Sequence, residues 1–332
     1  MPEYSVIIPV YNRPEEIDEL LNSLTKQSYN DFEVLIIEDG STNTCDDIAA
    51  NYATVLDVKY FFKENTGPGD SRNYGMDKAQ GNYLIFFDSD CIIPDSYFEI
   101  LTEYLGKYNY DAFGGADDAH ASFTTIQKAI NYTMTSFLTT GGVRKGKAQG
   151  NKYQPRSFNM GIRKSVIDAV GGFSDIHPGE DPDLSFRIRS AGFNIGAIPE
   201  AFVYHKRRID FSKFSHQVLK FGMVRVILNK WYPSTWSVLF LLPSMFLLFS
   251  ITSLVSALLG EMMLLYVLIT YISILFVHAM IKSRSLSIAL LVIPAVFIQF
   301  WWYGFGYLKS WFFIKVMGKN EREAFPDLFF KS

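Results

Sequence analysis

From residue 234 to residue 308 the chain is apolar apart from two short breaks, and this run narrows the possible folds more than any other feature. Stretches 234–258, 262–281 and 286–308 each approach the ~20 residues that a helix needs to cross bilayer hydrocarbon. Helices buried in a water-soluble bundle keep a polar face, and these stretches have almost none. The breaks are Gly260-Glu261 and Lys282-Ser-Arg-Ser285. Two or three crossings are expected. The number stays open because Pro294 and the cluster Trp301-Trp302-Tyr303 also suit a re-entrant or interfacial third segment.

Basic residues set the expected orientation. Lys206, Arg207, Arg208, Lys213, Lys220, Arg225 and Lys230 precede the apolar run, and Lys282 and Arg284 fill its second break. The positive-inside rule places both groups on the cytoplasmic side. Everything before residue 234 is then cytoplasmic, on a multi-pass protein of the cell (inner) membrane. A third crossing would export Lys309, Lys315, Lys319 and Arg322, against the same rule. The start, MPEYSVIIPV, lacks the basic and long apolar regions of a signal peptide. A net charge of −3 offers no concentrated positive field for nucleic acid. Cys45 and Cys91 are too few for a disulfide framework.

Upstream, the pattern alternates. Residues 4–10 form a short apolar run closed by Asn12-Arg-Pro14, and Ile17, Leu20, Leu21 and Leu24 then recur at helical spacing. Residues 34–37 form a second run, closed by Glu38-Asp-Gly-Ser41. A third run at 58–62, a helical stretch at 69–79 and a fourth run at 83–87 continue the series. Strands so apolar, alternating with helices, predict an α/β fold: a mostly parallel sheet sandwiched by helices. Ligands of such sheets gather beyond the carboxyl ends of the strands. Asn12 and Arg13, Glu38 and Asp39, and Asp88 and Asp90 fall there. The turn after the first strand reads Pro-Val-Tyr-Asn-Arg-Pro, with none of the glycines of a dinucleotide fingerprint, and no Walker loop is present.

Asp88-Ser-Asp90 ends the strand Tyr-Leu-Ile-Phe-Phe. Carboxylates at a buried strand end need compensation, and hard oxygens suit Mn2+ or Mg2+, which would neutralise a departing diphosphate. The same spacing also suits a turn in which Asp88 caps the next segment and Asp90 is solvated. Arg72, with Asn73 and Gly75 at the opening of a helix, either faces phosphate oxygens or lies on the surface. Glu180, Asp181 and Asp183 crowd before a helical stretch at 184–191. They read as a charged helix N-terminus or as the source of a base for an attacking hydroxyl.

Four segments together carry a resemblance: Val-Ile-Ile-Pro-Val-Tyr-Asn-Arg at 6–13, Ile-Ile-Glu-Asp-Gly-Ser at 36–41, Gly-Pro-Gly-Asp-Ser-Arg-Asn-Tyr-Gly at 67–75 and Leu-Ile-Phe-Phe-Asp-Ser-Asp at 84–90. In order and spacing they resemble the family 2 glycosyltransferases of GT-A fold, from about residue 5 to residue 205. The resemblance implies that Asp39 contacts the nucleotide base in a pocket lined by Pro9, Tyr11 and Arg13. It implies that Arg72 approaches the diphosphate, that Asp88 lies near ribose and metal, and that Asp90 binds the metal. Segments 158–161 and 171–173 look like the acceptor side, and Gly179-Glu-Asp-Pro-Asp183 resembles the motif that gives inverting members their base. Asp181 is then the base candidate beside Glu180, and His205 a further metal ligand as in some relatives.

Two departures stand out. Glu38-Asp39 replaces a pair of aspartates, and Gln217-Val-Leu-Lys220-Phe221 lacks the Gln-x-x-Arg-Trp of polymer-extruding synthases. The expected layout is a catalytic domain at 1–205, an amphipathic interfacial or linker segment at 206–233, a membrane domain at 234–308 and an amphipathic tail at 309–332. Residues 141–155, with Arg144, Lys145, Lys147 and Lys152 among glycines, read as a loop that is either solvated or orders over diphosphate. The expected activity is inverting, metal-dependent transfer from a nucleotide sugar, with a UDP-sugar favoured. The acceptor would be lipid-linked or membrane-proximal, in cell-envelope polysaccharide, glycolipid or glycan synthesis. A polyprenyl-phosphate acceptor is the enzymatic alternative, and a non-catalytic membrane scaffold is the alternative of another class.

Overall fold

The computed structural model describes residues 1–118, 120, 123–141, 153–206 and 210–330. Among these, one compact unit holds residues 1–120, 153–206 and 329–330, and a second holds 123–141 and 210–328. The first unit runs to residue 206 before the chain passes into the second. Residues 123–141 belong with the second unit and 329–330 with the first.

The first unit is built on one mixed sheet. Its strands are β1 (Tyr4–Val10), β2 (Phe32–Asp39), β3 (Val58–Lys63), β4 (Tyr83–Phe87), β5 (Cys91–Ile92), β6 (Ala112–Asp118), β7 (Asn159–Arg163) and β8 (Ile195–His205), in the order β3-β2-β1-β4-β7-β6-β8-β5. The pairs β1 with β2, β1 with β4, β2 with β3 and β6 with β8 are parallel, whereas β7 is antiparallel to β4 and β6, and β5 to β8. The helices are α1 (Pro14–Leu24), α2 (Asp46–Tyr52), α3 (Pro68–Lys78), α4 (Tyr97–Tyr108), α5 (Thr125–Thr135), α6 (Phe137–Thr140), α7 (Lys164–Val170) and α8 (Glu180–Ser190). Of these, α5 and α6 lie in the second unit.

Continuous apolar strands follow from two covered faces. Val6, Ile8, Val34, Ile36, Ile85 and Phe87 meet Ile17, Leu20, Leu21 and Leu24 of α1 and Leu101 of α4 in one layer. Ile7, Leu35, Ile37, Leu84 and Phe86 meet Met76 of α3 and Leu184 and Ile188 of α8 in the other. Each such side chain contributes roughly 1.5–3 kcal/mol on burial. A slip of one residue in register would exchange the two layers. One charge is buried at the amino end of the sheet: Glu33 accepts from Lys59 at 2.6 Å, from the Gln80 N–H at 2.6 Å and from Ser5 at 2.5 Å.

The second unit contains α9 (Phe211–Trp231), α10 (Leu242–Leu258), α11 (Met263–Ser283), α12 (Leu286–Trp311) and the short α13 (Glu321–Ala324). Among the described residues, three helical stretches, Val238–Leu258, Met263–Ser283 and Leu286–Val316, are long and apolar enough to cross a membrane. The third runs well beyond residue 308 and holds Pro294 within an unbroken α12. Pro is tolerated in apolar helices where neighbours take up the freed carbonyl.

Sequence left α9 as an interfacial helix or a linker. In the structure it packs along α12, burying Phe214, Val218, Val224 and Ile227. The crossing is close because Gly222 has no side chain: a Cβ there would stand 2.2 Å from the Tyr303 carbonyl oxygen. At its end, Lys230 and Trp231 both bond Glu321 of α13, at 2.6 and 2.7 Å. The basic loop residues Arg144, Lys145, Lys147 and Lys152, and Arg207 and Arg208, lie outside the described residues.

Candidate active site

Parallel pairing in register brings the carboxyl ends of β1, β2 and β4 to one edge, with Val10 opposite Glu38. Asn12 ties the first two turns together. Its backbone sits at φ +54°, its side-chain carbonyl accepts from the N–H groups of Thr42 and Asn43 at 2.9 and 3.0 Å, and its own N–H donates to Ser41. Asparagine tolerates this left-handed conformation better than most residues. The turn therefore needs no glycine, and α1 starts at once on Pro14.

Glu38 and Asp39, adjacent in sequence, do different things. Glu38 is fully buried and accepts from Ser41 and from the Cys45 N–H and thiol, so it holds its own turn. Asp39 is gripped at both oxygens, Oδ1 by Lys63 at 2.6 Å and the Thr66 N–H at 3.0 Å, and Oδ2 by the Gly67 N–H at 2.9 Å. It is thus a clamped carboxylate. Pro9 near the end of β1 and Arg13 beyond it are partly buried, and Tyr11 between them is exposed.

Farther along the edge, charged groups from distant parts of the chain converge. The β5–β8 pairing sets Cys91 opposite His205. His205 Nε2 thereby comes within 3.1 Å of Asp90 and 4.0 Å of Asp88, and Arg13 lies 3.2 Å from the other Asp90 oxygen. Phe158 stacks on the His205 ring at 4.3 Å and fixes its plane. Asp88 accepts from Arg72 at 2.6 Å. Arg72 is almost completely buried, lies over the Phe173 ring and donates also to Glu180 at 3.3 Å. Glu180 in turn meets His177 Nδ1 at 3.0 Å.

Burial alone would raise the Glu180 pKa, but His177 and Arg72 outweigh it and hold the group down at about 2. Asp181, the next residue, goes the other way. Burial and the charge of Glu180 push it up, opposed by Arg156 at 3.5 Å. The two neighbours are therefore unlike: Glu180 is a permanent anion committed to Arg72, and Asp181 is the more basic carboxylate. Asp183 pairs with Arg187 at 2.9 Å.

The donor set fits a hard divalent cation: two carboxylates and an imidazole at one sheet edge. His205 Nδ1 is buried with no hydrogen-bond partner among the described residues. Cys91 Sγ lies within 4.8 Å of the Asp90 and His205 donor atoms. Burial, reinforced by Asp90 and Asp88, keeps that thiol protonated, and it faces the Phe158 carbonyl at 3.6 Å. A soft thiol adds little to an oxygen-seeking ion.

The edge thus gathers Arg13, Arg72, Asp88, Asp90, His205, Glu180 and Asp181, with Asp39 on the neighbouring turn. The segment 158–161 is buried. Asn159 is buried in β7 and spends its side chain on Tyr97 and the carbonyls of Ala116 and Ala201. Segment 171–173 is clasped by Asn73, which bonds both the N–H and the carbonyl of Phe173. Arg156, Phe158 and His177 were not singled out as partners of the site. Nothing local marks them, apart from the placing of Phe158 in an acceptor-like segment.

A mixed sheet with this acidic carboxyl edge, followed by apolar helices, defines a GT-A-like fold. The chain belongs to glycosyl transferase family 2, whose pattern it matches over residues 5–171, and residues 158–314 match glycosyl transferase family group 2. An uncharacterised glycosyltransferase of Rickettsia conorii is 40% identical over 141 residues, which is 42% of this chain and 22% of that protein. The chain thus spans about a fifth of that relative. Glycosyltransferase AglE of Haloferax volcanii is 27% identical over 224 residues, 63% of this chain and 68% of that protein. Among solved structures, mannosyltransferase PcManGT of Pyrobaculum calidifontis, in complex with GDP-Man and Mn2+, aligns at TM-score 0.59. That alignment covers 93% of this chain and 87% of that one at 14% identity, a likeness of fold.

Proposed function

We propose that this protein is a membrane-anchored inverting glycosyltransferase that moves one sugar from a nucleotide sugar to a membrane-associated acceptor. The observation that carries the reading is His205 Nε2 standing 3.1 Å from Asp90 and 4.0 Å from Asp88, with Arg72 bonded to Asp88 at 2.6 Å. Asp88, Asp90 and His205 would hold a divalent cation, which when bound supplies positive charge to the leaving diphosphate. Mn2+ is the first candidate, given the ion named for the Pyrobaculum relative, and Mg2+ the second.

The remaining roles fall to the chain's own groups. Arg72, held against Phe173 and between two carboxylates, presents its guanidinium toward the diphosphate side of the edge. Arg13 balances Asp90. Asp39, with Pro9 and Tyr11 beside it, accepts from the base, and uracil is the first to try. Asp181 takes the proton from the acceptor hydroxyl as that oxygen attacks the anomeric carbon. Its raised pKa suits this, because a stronger base is a better proton acceptor. Glu180 keeps Arg72 in place and stays ionised throughout. One displacement, with base and leaving group on opposite faces, inverts the anomeric centre.

The apolar helices and the basic residues before and between them support a catalytic unit on the cytoplasmic side, working on lipid-linked or membrane-proximal acceptors. A polyprenyl-phosphate acceptor is the second reading. A phosphate oxygen is already charged and needs no base, so Asp181→Asn separates the two: near-normal turnover favours the phosphate. The test of the main reading is donor turnover by the purified, detergent-solubilised protein with Mn2+ against UDP-, GDP- and dTDP-sugars, with the product anomer read by NMR. Retained configuration, or turnover unaffected by Asp90→Ala, overturns it.

A further inference from the structure

The chain leaves the first unit for the helical one and then contributes residues 329–330 to the first unit again. Phe329 forms an antiparallel bridge with Ile176, and the Phe330 N–H donates to the Asp175 carbonyl at 3.0 Å. The Phe330 ring lies on Gly67, where a Cβ would stand 2.4 Å from its Cγ. The same ring is 5.8 Å from that of His177. Phe330 also lines a cavity of about 170 Å³, walled by Thr66 and the α3 residues Asp70 and Asn73 on one side and by His177 on the other.

The Gly67 turn and the His177 loop carry the clamps of the site. The Thr66 and Gly67 N–H groups grip Asp39. His177 grips Glu180, which bonds the same Arg72 that holds Asp88. Gly67 has φ +97°, a conformation that glycine adopts freely, so its turn is not stiffened by a side chain of its own. A rigid aromatic ring laid on that turn and against the His177 loop supplies the stiffness from outside.

We propose that Phe330 is a positioning residue of the donor pocket, bracing the Gly67 turn that holds Asp39 against the His177 loop that holds Glu180. The inference rests on reading this edge as the donor site. The ring touches no reacting atom, so it acts on donor binding and leaves the chemical step alone.

The test uses the full-length protein in detergent micelles, with Mn2+ and UDP or GDP, whichever the wild type binds. Phe330→Ala is expected to raise donor KM and the nucleoside-diphosphate Kd about tenfold while kcat stays within about threefold. Phe330→Tyr, which keeps the ring, should restore both constants, and Gly67→Ala, which collides with the ring, should reproduce the weakened binding. A structural role alone would lower the active fraction and kcat without moving Kd. Unchanged Kd in Phe330→Ala, or failure of Phe330→Tyr to restore it, overturns the inference while leaving the donor site intact. Absence of cation-dependent binding in the wild type overturns the donor site and this inference together.

Discussion

Replacing Arg72 with methionine keeps much of the side-chain volume and removes the charge shared by Asp88 and Glu180. The Arg72 side chain is 3% exposed and that of Glu180 5%, whereas that of Asp88 is 33% exposed. Removing one partner of a buried pair costs about 3–5 kcal/mol, because the remaining charge is stranded. Here Glu180 keeps His177 and Asp88 reaches solvent, so the lower end, about 3 kcal/mol, applies. A unit of roughly this size loses ~2–4 °C per kcal/mol, which gives a fall in Tm of about 6–12 °C.

The sign of the pH dependence follows from Glu180, whose folded pKa of about 2 lies below its ordinary 4.5. A depressed carboxylate stabilises the fold above its unfolded pKa, and that contribution fades as pH falls toward the folded value. The gap between wild type and Arg72→Met should therefore be widest at neutral pH and narrow below pH 4.5. Near-UV circular dichroism melts at pH 7 and pH 4 measure it. Adding Glu180→Gln to Arg72→Met removes the stranded charge and should recover part of the loss. A single variant melting within about 2 °C of wild type at pH 7, or a double variant whose losses simply add, would refute the reasoning.

Asp181→Asn should lower kcat by roughly 10²–10⁴ with donor KM nearly unchanged, as expected for loss of a base. Because burial raises the Asp181 pKa, the acid limb of the wild-type kcat/KM profile should lie above the ordinary 3.8 and vanish in the variant. A Glu33→Ala protein should lose about 1–3 kcal/mol in urea titrations, since the Gln80 N–H and Ser5 are left without their acceptor. Burial opposes ionisation of Glu33, but Lys59, Ser5 and the Gln80 N–H together hold its pKa down. Wild-type stability from this group is thus present above the ordinary carboxylate value and lost as pH falls, and Glu33→Ala should flatten that slope.

What the sequence revealed and what it hid divide along contact distance. Strands β1, β2 and β4 and helix α1 announce themselves by local periodicity, and Asp39, Asp88 and Asp90 are placed by simple adjacency to strand ends. The distant partners are different. His205 reaches Asp90 only because β8 pairs with β5, a pairing no local pattern encodes. Arg156 and His177 sit in irregular segments, so their bonds to Asp181 and Glu180 carry no periodic signature.

The start of α8 at Glu180, rather than at 184, was signalled by Pro182 among three acidic residues, a composition suited to a first turn. The capping box of Thr124 and Gln127 likewise marks the start of α5, but nothing local says that α5 and α6 fold with the second unit. The reach of the third apolar helix past residue 308 was obscured by its aromatic and basic residues. The return of Phe329 and Phe330 to the catalytic unit left no trace in the sequence at all.

The central claim is that Asp90 and its neighbours bind nucleotide through a divalent cation. Isothermal titration of the purified protein with UDP and with GDP, in Mn2+ and again in EDTA, tests it most directly. Uptake of one of these nucleotides in Mn2+ is predicted, with no measurable heat in EDTA or in Asp90→Ala under either condition. Equal affinity with and without the cation, or an Asp90→Ala protein that binds as the wild type does, would contradict the account.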